Sequence, residues 1–404
     1  MSLKLSRRAQ RVNVSPNAAS KARATELRAE GCDVLDLTTG EPDFDTPSHI
    51  KAAACGAIEA GSTKYTATGG MKELRAAVVN KLLRENYLNY QHNQTFIANG
   101  AKQVIFNAFA ATLDDGDEVV IPTPYWPTFP DAVRFNGGEP VLVKCGYDQG
   151  CKIKPEQLAA AIGPKTKWLV LNNPGNPSGA LYTCVELSAL AEVLRKTPHV
   201  WLMLDELYEH IRFDGSLSKS LLNVAPDLVE RSLFVGGVSK TYAMTGWRIG
   251  YGAGPAALVK AMTVVQSQST SGASSISQAA AVAALNGGLA FLPDQVATYK
   301  SRRDVFVSKL AEVADLQVLV PDGGFFVFVC CAKLIGLVRP DGERIRSDDD
   351  LIEWLLENGV AAISGSAYGL SPWLRFSIAT DSKAVAEAAN RVVRACELLK
   401  EGKE

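Results

Sequence analysis

Short apolar runs alternate with helical patterns through the middle of the chain. "QTFIA" (Gln94–Ala98) precedes a helix predicted from about Ala101 to Leu113, and "DEVVIP" (Asp117–Pro122) follows it. "KWLVLNN" (Lys167–Asn173), "VWLMLDE" (Val200–Glu206) and "SLFVGG" (Ser232–Gly237) are unbroken apolar stretches that end in polar or glycine positions. Continuous apolar strands separated by helices predict a mainly parallel sheet covered on both faces. Residues 165–205 fit one βαβ unit, with its helix around Val185–Lys196.

The pattern changes after Asp294. A long charged helix, "DQVATYKSRRDVFVSKLAEV" (Asp294–Val313), leads into short strands "LQVLV" (Leu316–Val320) and "GFFVFVC" (Gly324–Cys330). Helical patterns near residues 348–358 and 382–399 flank another strand, "WLRFSIA" (Trp373–Ala379). The expected architecture is α/β, with a smaller α+β domain drawn from both chain ends. Residues 1–48 form an N-terminal arm and part of that small domain, 49–293 the large domain, and 294–404 the small domain.

Composition narrows the function. A formal net charge of -1 argues against nucleic acid or an anionic membrane as the main partner. The eight cysteines are scattered without a C-x-x-C pair, which predicts reduced thiols and a cytoplasmic protein. Four dispersed histidines predict no metal site. The basic start, Met1–Asn17, lacks an apolar core for a signal peptide, and no apolar run reaches the roughly eighteen residues of a membrane span.

Ligands of parallel α/β sheets bind beyond the carboxyl ends of the strands, and three strand ends here carry unusual chemistry. "LVLNNPGNPSGA" closes one strand with Asn176 in a loop stiffened by Pro174 and Pro177. "WLMLDELYEH" places Asp205 at a strand end and Tyr208 three residues on. "GGVSKTYAMTGWRIGY" (Gly236–Tyr251) sets Lys240 and Arg248 among small residues with no acid between them. Singly these read as a rigid turn, a helix cap and a solvated lysine. Together, a lysine, an arginine, a carboxylate, a phenol and a carboxamide suit a flat anionic heteroaromatic aldehyde such as pyridoxal 5′-phosphate.

"GVSKTYAMTGWRIG" (Gly237–Gly250) resembles, position by position, the cofactor-lysine signature of the class I aminotransferases of the fold-type-I pyridoxal-phosphate superfamily. "GEPDFDTP" (Gly40–Pro47), "KYTATGGMKELR" (Lys64–Arg75), "NNPGNPSG" and "LRFSIA" (Leu374–Ala379) resemble the other family blocks in family order, so the similarity spans nearly the whole chain. It is greatest to bacterial-type aspartate aminotransferases. The resemblance implies a mixed, mainly parallel seven-stranded sheet and a transaminase that moves an amino group from an L-amino acid, best aspartate or glutamate, to a 2-oxo acid by a ping-pong mechanism.

It also implies roles. Lys240 is the Schiff-base lysine, Arg248 a phosphate clamp on the following strand, and Asp205 the partner of the ring nitrogen. Asn176 and Tyr208 bond the ring 3-oxygen, and Trp126 stacks on the ring. Gly100, Ala101 and Lys102 offer backbone N–H groups to the phosphate at a helix start, and the Lys102 side chain meets a distal substrate carboxylate. Arg375 grips the substrate α-carboxylate as a bidentate fork, with the Gly40 backbone close by. Tyr65 reaches the neighbouring subunit's cofactor, which implies a homodimer with shared active sites. Thr123–Pro124 and Asn176–Pro177 are expected to be cis.

Some positions depart from the pattern. Gly237 stands where many members carry a serine, and "QSTSGASS" (Gln268–Ser275) lacks the arginine that animal-type enzymes use for the far carboxylate. Asn13 and Asn17 fall near positions that tune acidic-substrate choice in relatives. Aromatic amino acids and prephenate therefore stay open as substrates, as does a C–S lyase on the same scaffold. An NAD-dependent oxidoreductase is disfavoured. Gly252-x-Gly254-x-x-Ala257 imitates the dinucleotide fingerprint, but no acid follows between Pro255 and Pro293 to hold a ribose.

Overall fold

The computed structural model describes residues 3–12, 16–216 and 219–401. Among these, thirteen strands follow in chain order: β1 (Leu35–Asp36), β2 (Thr95–Ala98), β3 (Glu118–Thr123), β4 (Glu139–Lys144), β5 (Thr166–Asn172), β6 (Trp201–Asp205), β7 (Ser232–Gly237), β8 (Gly250–Ala253), β9 (Gln317–Leu319), β10 (Phe326–Cys330), β11 (Val360–Ala361), β12 (Ile363–Ser364) and β13 (Trp373–Ser377). A seven-stranded sheet runs β2-β8-β7-β6-β5-β3-β4.

Side-chain alternation explains why these runs are apolar throughout. Ile97, Leu169, Leu171, Leu202, Leu204 and Phe234 enter one core, against the Lys72–Asn86, Cys184–Arg195 and Ser275–Asn286 helices. Phe96, Trp168, Val170, Met203, Leu233 and Val235 enter the opposite core, against Ala101–Thr112 and Ala256–Ser267. With period-2 geometry, a sheet buried on both faces needs apolar residues at odd and even positions alike.

Neighbours from β7 to β4 pair parallel, whereas β8 pairs antiparallel with both β7 and β2. The reversal has a local cause. Residues 238–249 connect β7 to β8 without a crossover helix, and a parallel return needs about a dozen residues or more, usually helical. That reversal carries Lys240 and Arg248, so both cations emerge at one edge of the sheet, where β5 and β6 also end.

Strands between Gln317 and Ser377 form the four-stranded antiparallel sheet β12-β13-β10-β9. β1 pairs in parallel with β11, and Ser377 N donates to Leu37 O at 2.7 Å. The segment after β1 is thus stitched to the C-terminal strands and then runs across to the large sheet. The expected helices are observed at Leu292–Leu310, Asp348–Glu357 and Ser382–Glu397. Thr123–Pro124 and Asn176–Pro177 are cis, and so are Asn173–Pro174 and Ser371–Pro372.

Candidate active site

A cavity of about 420 Å³ opens where the two sheets meet, at the carboxyl ends of β5, β6 and β7. Asp205, Tyr208, Asn176, Lys240, Arg248 and Arg375 all line it, as do Gly40, Ala101, Lys102 and Trp126. Elements from residue 40 to residue 375 therefore converge on one space.

Each side chain arrives by local geometry. Asn172 and Asp205 are register partners at the ends of β5 and β6. Asn172 Nδ2 donates to Asp205 O at 3.0 Å, while its Oδ1 accepts the Asn176 N–H at 2.7 Å. One carboxamide thus fastens the Asn176 loop to the strand that bears Asp205. Asp205 Oδ1 accepts from Leu207 N at 3.2 Å, and its carboxyl, 3 % exposed, has no ion-pair partner among the described residues. Burial pushes its pKa up to about 7; the Leu207 hydrogen bond and the Lys240 charge only partly offset that.

Lys240 Nζ donates to Gly40 O and lies 5.9 Å from the Tyr208 ring centroid. Burial lowers its amine pKa to about 8, with Arg248 and Arg375 acting in the same sense and Glu41 and Asp205 opposing. A Cβ at Gly40 would meet nothing within 4 Å. It is the Gly40 carbonyl, rather than its lack of a side chain, that the structure uses.

Arg248 lies in the turn before β8, not on the strand as expected, with φ 56°. Its Nη1 donates to Thr245 O at 2.8 Å and its Nη2 to Asn99 O at 3.3 Å. The helix Ala101–Thr112 begins beside it, capped by Gly100 at φ 86°. A Cβ on Gly100 would fall 2.3 Å from Arg248 Nη2, so glycine is required both by conformation and by the guanidinium. The Cβ of any residue replacing Gly250 would fall 2.2 Å from Ala101 N. This close backbone approach sets the helix N-terminus against β8, leaving the Ala101 and Lys102 N–H groups without intrahelical acceptors. Positive charge and free donors coincide there, which is the chemistry of an anion site.

Arg375 is the most telling residue. Central in β13 and fully buried, it donates from Nη2 to Thr38 O at 2.6 Å and from Nη1 to Asn176 Oδ1 at 3.4 Å, and Nε has no partner. Phe326 and Tyr368 sandwich the guanidinium at 4.3 Å and 5.1 Å. Among the described residues no carboxylate pairs with it, and burial lowers its pKa. A buried cation of this kind is costly unless an anion completes it. Lys102 Nζ stands 5.0 Å over the Trp126 ring, with its pKa lowered by burial and by Arg248.

Two expectations lie elsewhere. Tyr65 is 99 % exposed and does not line this cavity; it borders a surface groove with Ser271, Gly272 and Ser274. Asn13 lies outside the described residues, as does the Asn17 side chain. The sequence reading had assigned no role to Thr38, Glu41, Asn172, Ser239 and Thr245, which also border the cavity. Glu41, in the "GEPDFDTP" segment, accepts from Thr245 Oγ1 at 2.9 Å. Among the described residues there is no cluster of metal-ligating side chains and no helix long and apolar enough to cross a membrane.

The raised Asp205 pKa makes a stability prediction for the protein without ligand. A carboxyl whose folded pKa lies above its unfolded value costs stability once pH exceeds the unfolded value, up to about 4 kcal/mol for a shift from 3.8 to about 7. Asp205→Asn should therefore raise the Tm of the ligand-free protein at pH 8, with the gain vanishing as pH falls towards 4. Equal Tm values at both pH values would show that the carboxylate finds a partner in solution.

A doubly wound mixed sheet, a lysine and an acid at adjacent strand ends, an anion site at a helix start and a buried arginine define an enzyme of the fold-type-I class. A family model described as aminotransferase class I and II matches residues 32–392. An aspartate aminotransferase from Rhizobium meliloti is 49% identical over 389 residues, covering 96% of this chain and 95% of that protein. An aspartate/prephenate aminotransferase from Cereibacter sphaeroides is 48% identical over 387 residues, covering 96% and 97%. The crystal structure of the Rhizobium meliloti aspartate aminotransferase superposes with a TM-score of 0.96 at 48% identity, covering 99% of this chain and 100% of that one. The Thermus thermophilus aspartate aminotransferase with maleate gives 0.91 at 39% identity, covering 98% and 100%. The chain belongs to the class I and II aminotransferases, and it is a transaminase.

Proposed function

We propose that the cavity binds pyridoxal 5′-phosphate and exchanges the amino group of aspartate or glutamate with a 2-oxo acid such as 2-oxoglutarate, in two half-reactions at one site. The observation that carries this reading is Arg375: a buried guanidinium with, among the described residues, a free Nε and no acid partner, facing the same cavity as Lys240 and Asp205.

The residues present fit the cofactor. Asp205 is a buried carboxyl with no ion-pair partner among the described residues, and a protonated ring nitrogen would supply one. Arg248 and the N–H groups of Ala101 and Lys102 would hold the phosphate, Asn176 and Tyr208 the ring oxygen, and Trp126 the ring face; the Gly100 N–H, expected to join them, instead donates to Ala98 O at 2.8 Å, and Gly100 does not border the cavity. When bound, the cofactor supplies an electron sink that makes the substrate Cα–H acidic. Arg375 orients the α-carboxylate through its planar fork, with the Gly40 backbone beside it. Lys240 Nζ serves as covalent anchor and then as the group that takes and returns the Cα proton; its amine, lowered to about 8, keeps a working fraction neutral near physiological pH.

Lys102 is proposed to meet the distal carboxylate, a reading supported by the maleate, a dicarboxylate, in the Thermus structure. Lys102→Ala should lower kcat/KM for aspartate and glutamate about tenfold, the scale of one exposed charge-assisted contact, and leave alanine and phenylalanine nearly unchanged. Its backbone N–H survives, so cofactor affinity should hold. Equal losses for all donors would remove Lys102 from substrate choice. The deciding experiment is a panel of amino donors against 2-oxoglutarate, oxaloacetate and prephenate, following the keto acids. Prephenate is included because the Cereibacter relative is named for it. Release of pyruvate and ammonia without an acceptor would instead indicate a C–S lyase.

A homodimer is proposed from Tyr65, an aromatic left 99 % exposed beside a groove and expected to serve a second subunit's cofactor. Sedimentation should give twice the chain mass, and a fully active monomer would overturn this. Eight unpaired thiols support a reducing, cytoplasmic setting, which cell fractionation tests.

A further inference from the structure

A buried polar cluster that does not line the cavity reaches the residue next to Lys240 in the chain. Lys81, 1 % exposed, donates to Glu209 and to Asn86 Oδ1 at 2.7 Å, and lies 3.7 Å from Glu85. Asn86 Nδ2 donates to Glu209 Oε2 at 2.6 Å. His210 extends this group to the catalytic lysine's own segment: Nε2 is 3.0 Å from Glu85 Oε2, and Nδ1 is 3.0 Å from Thr241 Oγ1. Thr241 directly follows Lys240 and is 2 % exposed.

Position gives the cluster its significance. Asp205 and His210 sit at the two ends of one turn, in which Glu209 N donates to Glu206 O and Ile211 N to Tyr208 O. Lys240 and Thr241 sit in another, closed by Tyr242 N to Val238 O at 3.2 Å and Met244 N to Ser239 O at 3.1 Å. Among the described residues, His210–Thr241 is the side-chain hydrogen bond joining these two turns. Glu85 comes from a third element, the Lys72–Asn86 helix, and its carboxylate holds the other ring nitrogen.

The chemistry fixes the direction of the bond to Glu85. Burial pushes the Glu85 pKa up, but the His210 hydrogen bond and the Lys81 charge outweigh it and hold the carboxyl down at about 2. An ionised carboxylate only accepts, so Nε2 carries a hydrogen and donates to Glu85, which leaves Nδ1 as the ring nitrogen that pairs with the Thr241 hydroxyl. A buried charged cluster adds little net stability over apolar packing of the same volume, so its effect is geometric.

We propose that Glu85, His210 and Thr241 are positioning residues that brace Lys240 against the Asp205 turn and so set the rate of transamination without touching substrate or cofactor. The brace rests on the reading of Lys240 as the cofactor lysine. Thr241→Val keeps the volume and removes the hydroxyl; it should lower kcat about ten- to a hundredfold, the cost of a small misplacement of a reacting group, with the donor KM within about twofold. Thr241→Ser should retain wild-type kcat within about twofold. In cofactor-free Thr241→Val, the pH midpoint for reductive methylation of Lys240 should move from about 8 towards the ordinary lysine value. His210→Gln should match Thr241→Val, and if it does not fold the threonine pair still decides. Wild-type kcat in Thr241→Val, or equal impairment of Thr241→Ser, overturns the brace while leaving Lys240 in place. Borohydride fixation of the cofactor on another lysine overturns both.

Discussion

Lys240→Ala is expected to lower kcat by about 10⁴-fold or more, the upper end of what one positioned proton-transfer group contributes. The expectation comes from where the amine sits. It lines the cavity, donates to Gly40 O, and has its pKa drawn down to about 8 by burial and by two arginines. Among the described residues no other lysine lines the cavity except Lys102, which stands over Trp126. Keto acid formation in single turnovers measures the loss directly. Borohydride should also fix the cofactor on Lys240 in the wild-type protein and on no residue in the variant. Residual activity within about a hundredfold of wild type would assign proton transfer elsewhere.

Arg375→Ala should depress kcat/KM for every amino acid, acidic or not, by about 30-fold to several thousandfold. A buried bidentate guanidinium–carboxylate pair loses roughly 2–5 kcal/mol when one partner is removed, at about 1.4 kcal/mol per tenfold. Arg375→Lys should recover little of this. It keeps the charge but loses the planar fork and the sandwich between Phe326 and Tyr368. The variant also removes donors to Thr38 O and Asn176 Oδ1, so circular dichroism and Tm are needed alongside the kinetics. Losses confined to acidic donors would place the α-carboxylate at another residue.

Much of the large sheet was legible because β5, β6 and β7 are buried on both faces, and that condition writes an unbroken apolar run into the chain. β4 was not read. It is the edge strand of the same sheet, its positions are only half-buried or exposed, and its "EPVLVK" carries a mixed signal. The acid, the carboxamide and the lysine were legible as polar residues closing apolar strands. Arg248 was placed on the strand because the sequence shows no sign of its left-handed backbone. Glu85 and His210 were passed over for a different reason: they stand 125 positions apart, and each reads by itself as an ordinary surface residue.

The sequence by itself determined the class of sheet, the strand ends that carry chemistry and the residue types gathered there, because burial and backbone periodicity act locally and leave local marks. Only the tertiary structure decided that β8 turns back antiparallel, that the segment after β1 crosses from the C-terminal strands to offer the Gly40 carbonyl to Lys240, and that Arg375 meets no acid among the described residues. Those facts depend on which distant segments pack together and on what each buried charge finds opposite it, and neither is written in any one stretch of chain.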